Sequence, residues 1–537
     1  MGQILSTFSR LRNKKWDVLD ESQAAKENEL MFQGFEWHVP ADQQHWNRLH
    51  ERLPRLKSIG VSSIWIPPGC KAATGGNGYD IYDLYDVGEF DQKGQIATKW
   101  GSRADLETFI ARANELGIGI YWDAVLNHKA GADNKERCMA VQVDPKDRTV
   151  NISEPREIEA WLGHDFPGRG TKCSDLKYHW YHFSGIDYDI LQKQSGIYKL
   201  IGSGNKDWAK DVSTENGNYD YLMFADVDYS NTEVKEDVKR WAEWLGAQFQ
   251  LKGMRLDAVK HYSRAFLKEF IQHIRTTVGR EWFLVAEYWS GDVSLLLNYL
   301  DQMEGLVSLF DAPLTERFSL FAKGGQDMRR IFDRTLVQLR PQSAVTFVSN
   351  HDTQPGQSLE ILIAGWFKPL AYALILLRQD GYPCLFYGDL YGIKNTEPKY
   401  RLPPVDKLAA LATVRKLYAY GKQRDYFDNK KCIVKASGTH TGTGFIRYGN
   451  TAHSYGLACV LNTSTSAAPM SKTMYVGVRH AGERWTEVFT SGAVTTSPVE
   501  VDHRGYAEFK IGPQSVSVWV DERAEGREGI DVHEAHA

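Results

Sequence analysis

A chain of 537 residues, 42% hydrophobic and 25% charged, exceeds one ordinary domain and carries enough apolar residues for a large core. Its 64 Lys and Arg against 68 Asp and Glu leave a net charge of −4, which excludes a strongly basic, nucleic-acid-binding chain and points to an uncharged partner. Six cysteines lie far apart without CxxC spacing, which excludes a compact zinc or redox motif and predicts free thiols in a reducing compartment.

The chain opens with "MGQILSTFSRLRNKKW", which has no long apolar stretch, so neither a signal peptide nor a membrane span is expected and a cytoplasmic protein is. It matches the N-myristoylation pattern, with Gly2 and Ser6 in register and Arg10, Arg12, Lys14 and Lys15 as a basic second signal. The alternatives for residues 1–27 are a tether at the inner membrane surface and a plain arm. Short apolar runs bounded by turn residues then recur: "ELMFQGF" near 29, "SSIWIP" near 62, "GIYWDAVLNH" near 119, "GMRLDAV" near 253, "FLVAEYW" near 283, "LVSLFD" near 306, "AVTFVSNHD" near 344 and "CLFYGD" near 384. Helical patterns separate them, which predicts an α/β fold with a (β/α)8 TIM barrel over 28–128 and 228–428. The gap at 129–227 is far too long for a loop and predicts a separate excursion after strand 3. From 429 to 521 alternating runs such as "GLACVLNTS" and "VSVWVD" predict a C-terminal antiparallel β-sandwich domain. The charged end, 522–537, is expected to be disordered. Nothing in the sequence fixes oligomeric state, and a monomer is the default.

Barrel chemistry sits at the C-terminal ends of strands, and this chain loads those ends with polar groups. Strand 3 ends in Asp123, Asn127 and His128; strand 4 in Arg255, Asp257, Lys260 and His261; strand 5 in Glu287; strand 7 in His351 and Asp352. A retaining glycosidase needs a nucleophilic carboxylate and an acid/base about 5–5.5 Å away. Arg255, two residues before Asp257, shares its strand face and can keep it ionised; Glu287, beside the apolar Trp289, is the second carboxyl. A metal-dependent hydrolase is the competing use, although "MFQGFEWH" lacks the His-x-His that such barrels place on strand 1. Any one of these residues alone would read as a structural ion pair or a core histidine.

The strings "DAVLNH" (123–128), "GMRLDAVKH" (253–261), "AEYW" (286–289) and "FVSNHD" (347–352) resemble, in order and spacing, the four signature regions of the α-amylase family, glycoside hydrolase family 13. Further stretches, among them "GYDIYDLYDVGEFDQKG", "FPGRGTKCSD" and "ENGNYDYLMFADVDY", look like the bacterial liquefying type and its intracellular fungal relatives. The resemblance implies an endo-acting α-1,4-glucan hydrolase, with the barrel, excursion and sandwich as domains A, B and C. It implies Asp257 as nucleophile, Glu287 as acid/base and Asp352 as third acid. His128 and His351 would hydrogen-bond the sugar at the cleavage subsite, Tyr79 would stack beneath it, and Lys260 and His261 would contact the leaving-group side. A structural Ca²⁺ would be held by Asn127, Asp220, Asp226 and the backbone carbonyl of His261. Ser184, Ala209 and Ser230 stand where liquefying relatives carry extra aspartates for a sodium and a second calcium, so one calcium is expected. The substrate would be glycogen, maltodextrin or another α-glucan. Alternatives are a 4-α-glucanotransferase on malto-oligosaccharides, supplying primers for a cell-wall α-glucan, and a non-catalytic glucan-binding protein on the same scaffold.

Overall fold

The computed structural model describes residues 28–202, 206–427, 440–493 and 497–530. Cys432 and the Gly2 arm lie outside them. The eight expected barrel strands are β1 (Met31–Gln33), β2 (Ser63–Trp65), β3 (Gly119–Ala124), β4 (Gly253–Leu256), β5 (Phe283–Ala286), β6 (Ser308–Phe310), β7 (Ala344–Phe347) and β8 (Tyr382–Phe386). They close into a barrel in chain order, and β3, β4 and β5 pair in parallel with Arg255 opposite Asp123 on one side and Val285 on the other. These strands read as short apolar runs because strands of a parallel barrel are buried on both faces.

The described residues compact into two units, one made of 37–54 and 63–310, the other of 28–36, 55–62 and 311–530. In the first, the helix Arg103–Glu115 begins at a capping box formed by Ser102 and Asp105, and it buries Leu106, Phe109, Ile110 and Ala113 at helical spacing. The excursion is a six-stranded antiparallel sheet in the order 128–129, 225–227, 183–189, 194–201, 134–143, 156–163. Val141, Val143, Trp208 and Tyr221 form a small core in it. Asp237, buried on the helix Thr232–Gln248, accepts hydrogen bonds from Ser174 Oγ at 2.6 Å and Tyr178 Oη at 3.0 Å, which ties the excursion to the helix that follows it.

In the second unit, two antiparallel sheets enclose a core that includes Met474, Trp485, Phe509 and Trp519, the expected sandwich. Its first strand is Gln423–Asp425, six residues before the expected boundary. The expectation of disorder from residue 522 fails over 522–530. Ala524 and Ile530 are buried, Tyr418 Oη donates to the Glu525 carbonyl at 2.6 Å, and Arg527 donates to the Asp521 carbonyl at 3.0 Å. A charged composition here conceals a side chain that caps carbonyls rather than meeting solvent.

Most of the aromatic wealth is core: Trp46, Trp65, Trp100, Trp122, Trp241, Trp485 and Trp519 are fully buried. Cys70, Cys138, Cys173, Cys384 and Cys459 are free thiols. Among the described residues no helix is long and apolar enough to cross a membrane.

His164 is fully buried among Tyr82, Phe166 and Phe183, and burial, with Lys129 adding repulsion, lowers its pKa to about 3. The unfolded chain takes up this proton near pH 6.5 and the folded chain does not, so stability is lost as pH falls from 6.5 toward 3, by about 1.4 kcal/mol per pH unit for one proton. Denaturant titrations between pH 6.5 and 5 should show a slope shallower by about that amount in His164→Gln; an unchanged slope would show that His164 is not the group taking up the proton.

Candidate active site

Arg255 is the centre of the site in the first unit. Its side chain is 1% exposed, and three carboxylates meet it: Nη1 lies 2.7 Å from Asp123 Oδ1 and 2.7 Å from Asp257 Oδ1, and Nη2 lies 2.7 Å from Glu287 Oε2. Its guanidinium carbon sits 4.9 Å from the Trp65 ring centroid. Burial opposes the charge, but Asp123, Tyr79, Glu287 and Asp257 outweigh it and hold the guanidinium protonated. The sequence reading gave Arg255 one partner; the register of the strands gives it three, because Asp123 stands opposite Arg255 within β3, while Asp257 and Glu287 are the first residues past β4 and β5.

Asp123, buried at 1% exposure, has no role assigned from sequence. Its Oδ2 accepts from Trp65 Nε1 at 2.8 Å and Tyr79 Oη at 2.7 Å. One carboxylate thus orients the arginine and the tyrosine together, and Tyr79 in turn lies parallel to Trp37 at 5.9 Å. Beyond β4 the chain turns sharply: Ala258 adopts φ of 50°, a left-handed conformation that costs a non-glycine residue roughly 1 kcal/mol. That turn presents the Ala258 amide to Glu287 Oε2 at 3.3 Å and leads into the short helical turn Val259–His261.

His128 donates from Nε2 to the Tyr79 carbonyl at 2.7 Å, and burial lowers its pKa to about 4. The expected sugar contact therefore meets an imidazole already engaged by the loop that carries Tyr79. Lys260 Nζ is held by Glu215 at 3.0 Å and the Trp289 carbonyl at 2.9 Å; Glu215, unremarked in the sequence, is half-exposed. His261 donates from Nδ1 to the Tyr219 carbonyl at 2.9 Å, and burial, then Lys260, lowers its pKa to about 3.

Nearby, Asn127 Nδ2 donates to Asp226 Oδ1 at 3.2 Å, Ser184 Oγ donates to Asp226 Oδ2, and Asp220 Oδ2 accepts from the Ala209 amide at 2.9 Å. Burial, then repulsion from neighbouring aspartates, raises the Asp220 and Asp226 pKa values. Asn127 Oδ1 is buried with no hydrogen-bond partner. Among the described residues no group of three or more His, Cys, Asp and Glu side chains forms a metal cluster; two carboxylates and a carboxamide are what stand together here.

The second unit holds His351 and Asp352 after β7. His351 accepts at Nδ1 from Gln33 Nε2 at 3.0 Å, and its Nε2 lies 3.2 Å from Asp352 Oδ2. Asn350 Oδ1 accepts from the Asp352 and Thr353 amides at 2.9 and 2.8 Å, which fixes the turn that carries Asp352.

Asp123→Asn keeps the shape of its side chain but removes one anionic partner of Arg255. It should retain near-native melting while the kcat of the reaction carried out at this site falls about 10- to 100-fold, the equivalent of one charged hydrogen bond. Unchanged kcat would remove Asp123 from the positioning network.

Residues 41–445 match the family described as alpha amylase, catalytic domain. An α-amylase of Bacillus licheniformis is 44% identical over 501 residues, 93% of this chain and 94% of that protein. A cytoplasmic α-amylase of Escherichia coli is 40% identical over 509 residues, 92% of this chain and 99% of that one. Solved structures share the fold at lower identity. An α-amylase I variant of Eisenia fetida has a TM-score of 0.61 at 14% identity, covering 92% of this chain and 97% of that one. A cyclomaltodextrin glucanotransferase with three domains has 0.56 at 18%, covering 92% and 99%. With its barrel, its charged strand ends and these relatives, the chain belongs to the α-amylase family of glycoside hydrolases, glycoside hydrolase family 13.

Proposed function

We propose that the protein is a retaining, endo-acting α-1,4-glucan hydrolase that works through a covalent glucosyl-Asp257 intermediate. The observation that carries this reading is the single buried guanidinium of Arg255 that binds both Asp257 and Glu287. Two carboxyls on one guanidinium favour the close spacing of a retaining pair, roughly 5–5.5 Å, over the wider gap that admits a water. Glu287 gives its proton to the glycosidic oxygen as Asp257 forms a bond to the anomeric carbon and the leaving chain departs with that proton. Glu287 then takes a proton from water, whose oxygen displaces Asp257. Asp352 follows β7, which belongs to the same closed parallel barrel, and residues that follow such strands emerge at its C-terminal end; it is the third acid, with His351 beside it. Tyr79 supplies the stacking face, and Lys260 and His261 border the leaving-group side.

The residues also fit a calcium ion. Asn127, Asp220 and Asp226 offer only oxygen, two of the groups are buried like charges, and the Asn127 oxygen lacks a partner, a donor set suited to Ca²⁺. The His261 carbonyl would complete it, and the ion would fix the loops around the strand ends. One such ion, without the sodium and second calcium of liquefying relatives, is expected to give lower heat resistance than theirs. Chelation should lower the melting temperature and calcium should restore it; at one hundred times Kd a ligand contributes about 2.7 kcal/mol. A melt insensitive to chelator would sink this assignment.

Glycogen or maltodextrin inside the cell fits a chain whose 40%-identical relative is named a cytoplasmic α-amylase; attachment to the inner membrane surface through Gly2 is the further expectation. The acceptor is the open choice, since the fold is shared with glucanotransferases and a fold does not set the acceptor. Maltoheptaose with calcium, followed by chromatography, tests it. Only shorter sugars are expected, with turnover lost by at least 10³-fold in Asp257→Asn. Chains longer than the substrate at the earliest times would mean that a sugar hydroxyl captures the intermediate instead. Unchanged turnover in Asp257→Asn would overturn the mechanism.

A further inference from the structure

One aromatic side chain of the excursion is braced from several sides and still open to solvent. Tyr181 is 43% exposed. Glu136 pins the two residues before it: Oε1 accepts from His179 Nδ1 and Oε2 from the Trp180 amide, each at 2.7 Å. The residue after it, His182, is buried. Its Nδ1 accepts from the His179 amide at 3.0 Å, so its proton sits on Nε2 and is donated to Glu233 Oε2 at 3.1 Å. The Tyr181 carbonyl accepts from Lys206 Nζ at 3.0 Å. The ring stacks on His179 at 5.5 Å and 27° and lies 4.4 Å from the His182 ring. A solitary surface tyrosine needs no such bracing. A ring whose rotamer is fixed by the fold loses little side-chain freedom when something packs on it, which is what a binding platform requires.

Tyr181 lines a cleft of about 530 Å³ between the excursion and the helix Thr232–Gln248, within the range of roughly 300–1,000 Å³ typical of ligand sites. Asp175 and Lys177 border it from the excursion, and Glu233, Glu236 and Arg240 from one face of the helix, at spacings of three and four. The tips of Glu236 and Arg240 are open, with side chains 49% and 56% exposed. Acids and bases together repel a strongly charged ligand of either sign, and the centre of a protein interface is depleted of charge. An uncharged ligand rich in hydroxyls meets an apolar ring face with donors and acceptors around it. We propose that this cleft is a second, non-catalytic α-glucan site, in which a glucosyl ring packs on Tyr181 and its hydroxyls bond Glu236 and Arg240. No residue of the cleft belongs to the Arg255 network or to the sugar contacts assigned above. Choosing an α-glucan rests on the hydrolase reading above; the presence of a hydroxyl-rich ligand does not. A polymer held here raises its own concentration at the strand ends, whereas a short chain bound in the cleft is not linked to one bound at Asp257.

The test uses the full chain with and without Tyr181→Ala or Tyr181→Phe, each also combined with Asp257→Asn to stop turnover. Electrophoretic mobility in gels with graded glycogen gives a Kd for the polymer. Asp257→Asn should be retarded by glycogen; adding Tyr181→Ala should raise Kd about tenfold, and adding Tyr181→Phe, which keeps the ring, should not. With Asp257 intact, Tyr181→Ala should raise KM for glycogen and leave kcat and KM for maltoheptaose unchanged. If Tyr181→Ala melts early, Glu236→Ala/Arg240→Ala replaces it with the same expectations. Retardation equal to that of Asp257→Asn alone, or equal losses on glycogen and maltoheptaose, overturns the proposal while the hydrolase reading stands. So does a protein that cleaves maltoheptaose and is not retarded at all. Retardation that depends on Tyr181 without any turnover supports the site and overturns the hydrolase reading; neither retardation nor turnover overturns both.

Discussion

A single arginine side chain, deprived of water, organises the first unit. Arg255 is 1% exposed and receives Asp123, Asp257 and Glu287 at 2.7 Å each, so the group carries a net negative charge in a low-dielectric site. Ion pairs of this kind add little to stability, because desolvation offsets the attraction. Their justification is positional. A guanidinium is planar and its donors form a rigid fork, so carboxylates bound to it are fixed relative to one another. Asp257 and Glu287 are thereby fixed relative to one another by the fold itself. Lysine, a point charge on a flexible stem, could satisfy the charge but not the arrangement.

The strand order explains why the arginine finds three acids rather than one. Parallel pairing aligns Arg255 with Asp123 across β3 and with Val285 across β5, and Glu287 follows two residues later on the same face as Val285. Asp123 then passes the constraint outward through Trp65 and Tyr79. Each step turns a backbone register into the position of a side chain, and the chain of contacts runs over four neighbouring strands, β2 to β5, and the loop that carries Tyr79.

That geometry also marks what the sequence could and could not disclose. The eight strands and the excursion were legible because fully buried parallel strands read as apolar runs and because no ordinary loop spans a hundred residues. Asp257 and Glu287 were singled out by the signature strings, and the structure brings both onto Arg255. The roles of Asp123 and Glu215 were not: an aspartate in a strand and a glutamate in a Gly/Asn turn look ordinary, and their meaning comes from Trp65, Tyr79 and Lys260, which lie 58, 44 and 45 positions away. The segment 522–530 was misread because composition weighs charge and cannot see that Arg527 satisfies the carbonyl of Asp521.

The nine residues from Gly253 to His261 join the two charge problems of this unit. At one end Arg255 and Asp257 belong to the buried ion network. At the other, the Lys260 carbonyl accepts from the Ser213 amide at 2.9 Å, Lys260 Nζ holds Glu215, and His261 Nδ1 holds the Tyr219 carbonyl. Those contacts clamp residues 213–219 of the excursion, and Asp220 comes next. The segment that leads into Asp220 is therefore sewn onto the loop that follows Asp257. The placement of Asp220 and that of Lys260 and His261 are mechanically linked. Loosening of the excursion would reach Lys260 and His261 before it reached Arg255, which is anchored to strands on both sides.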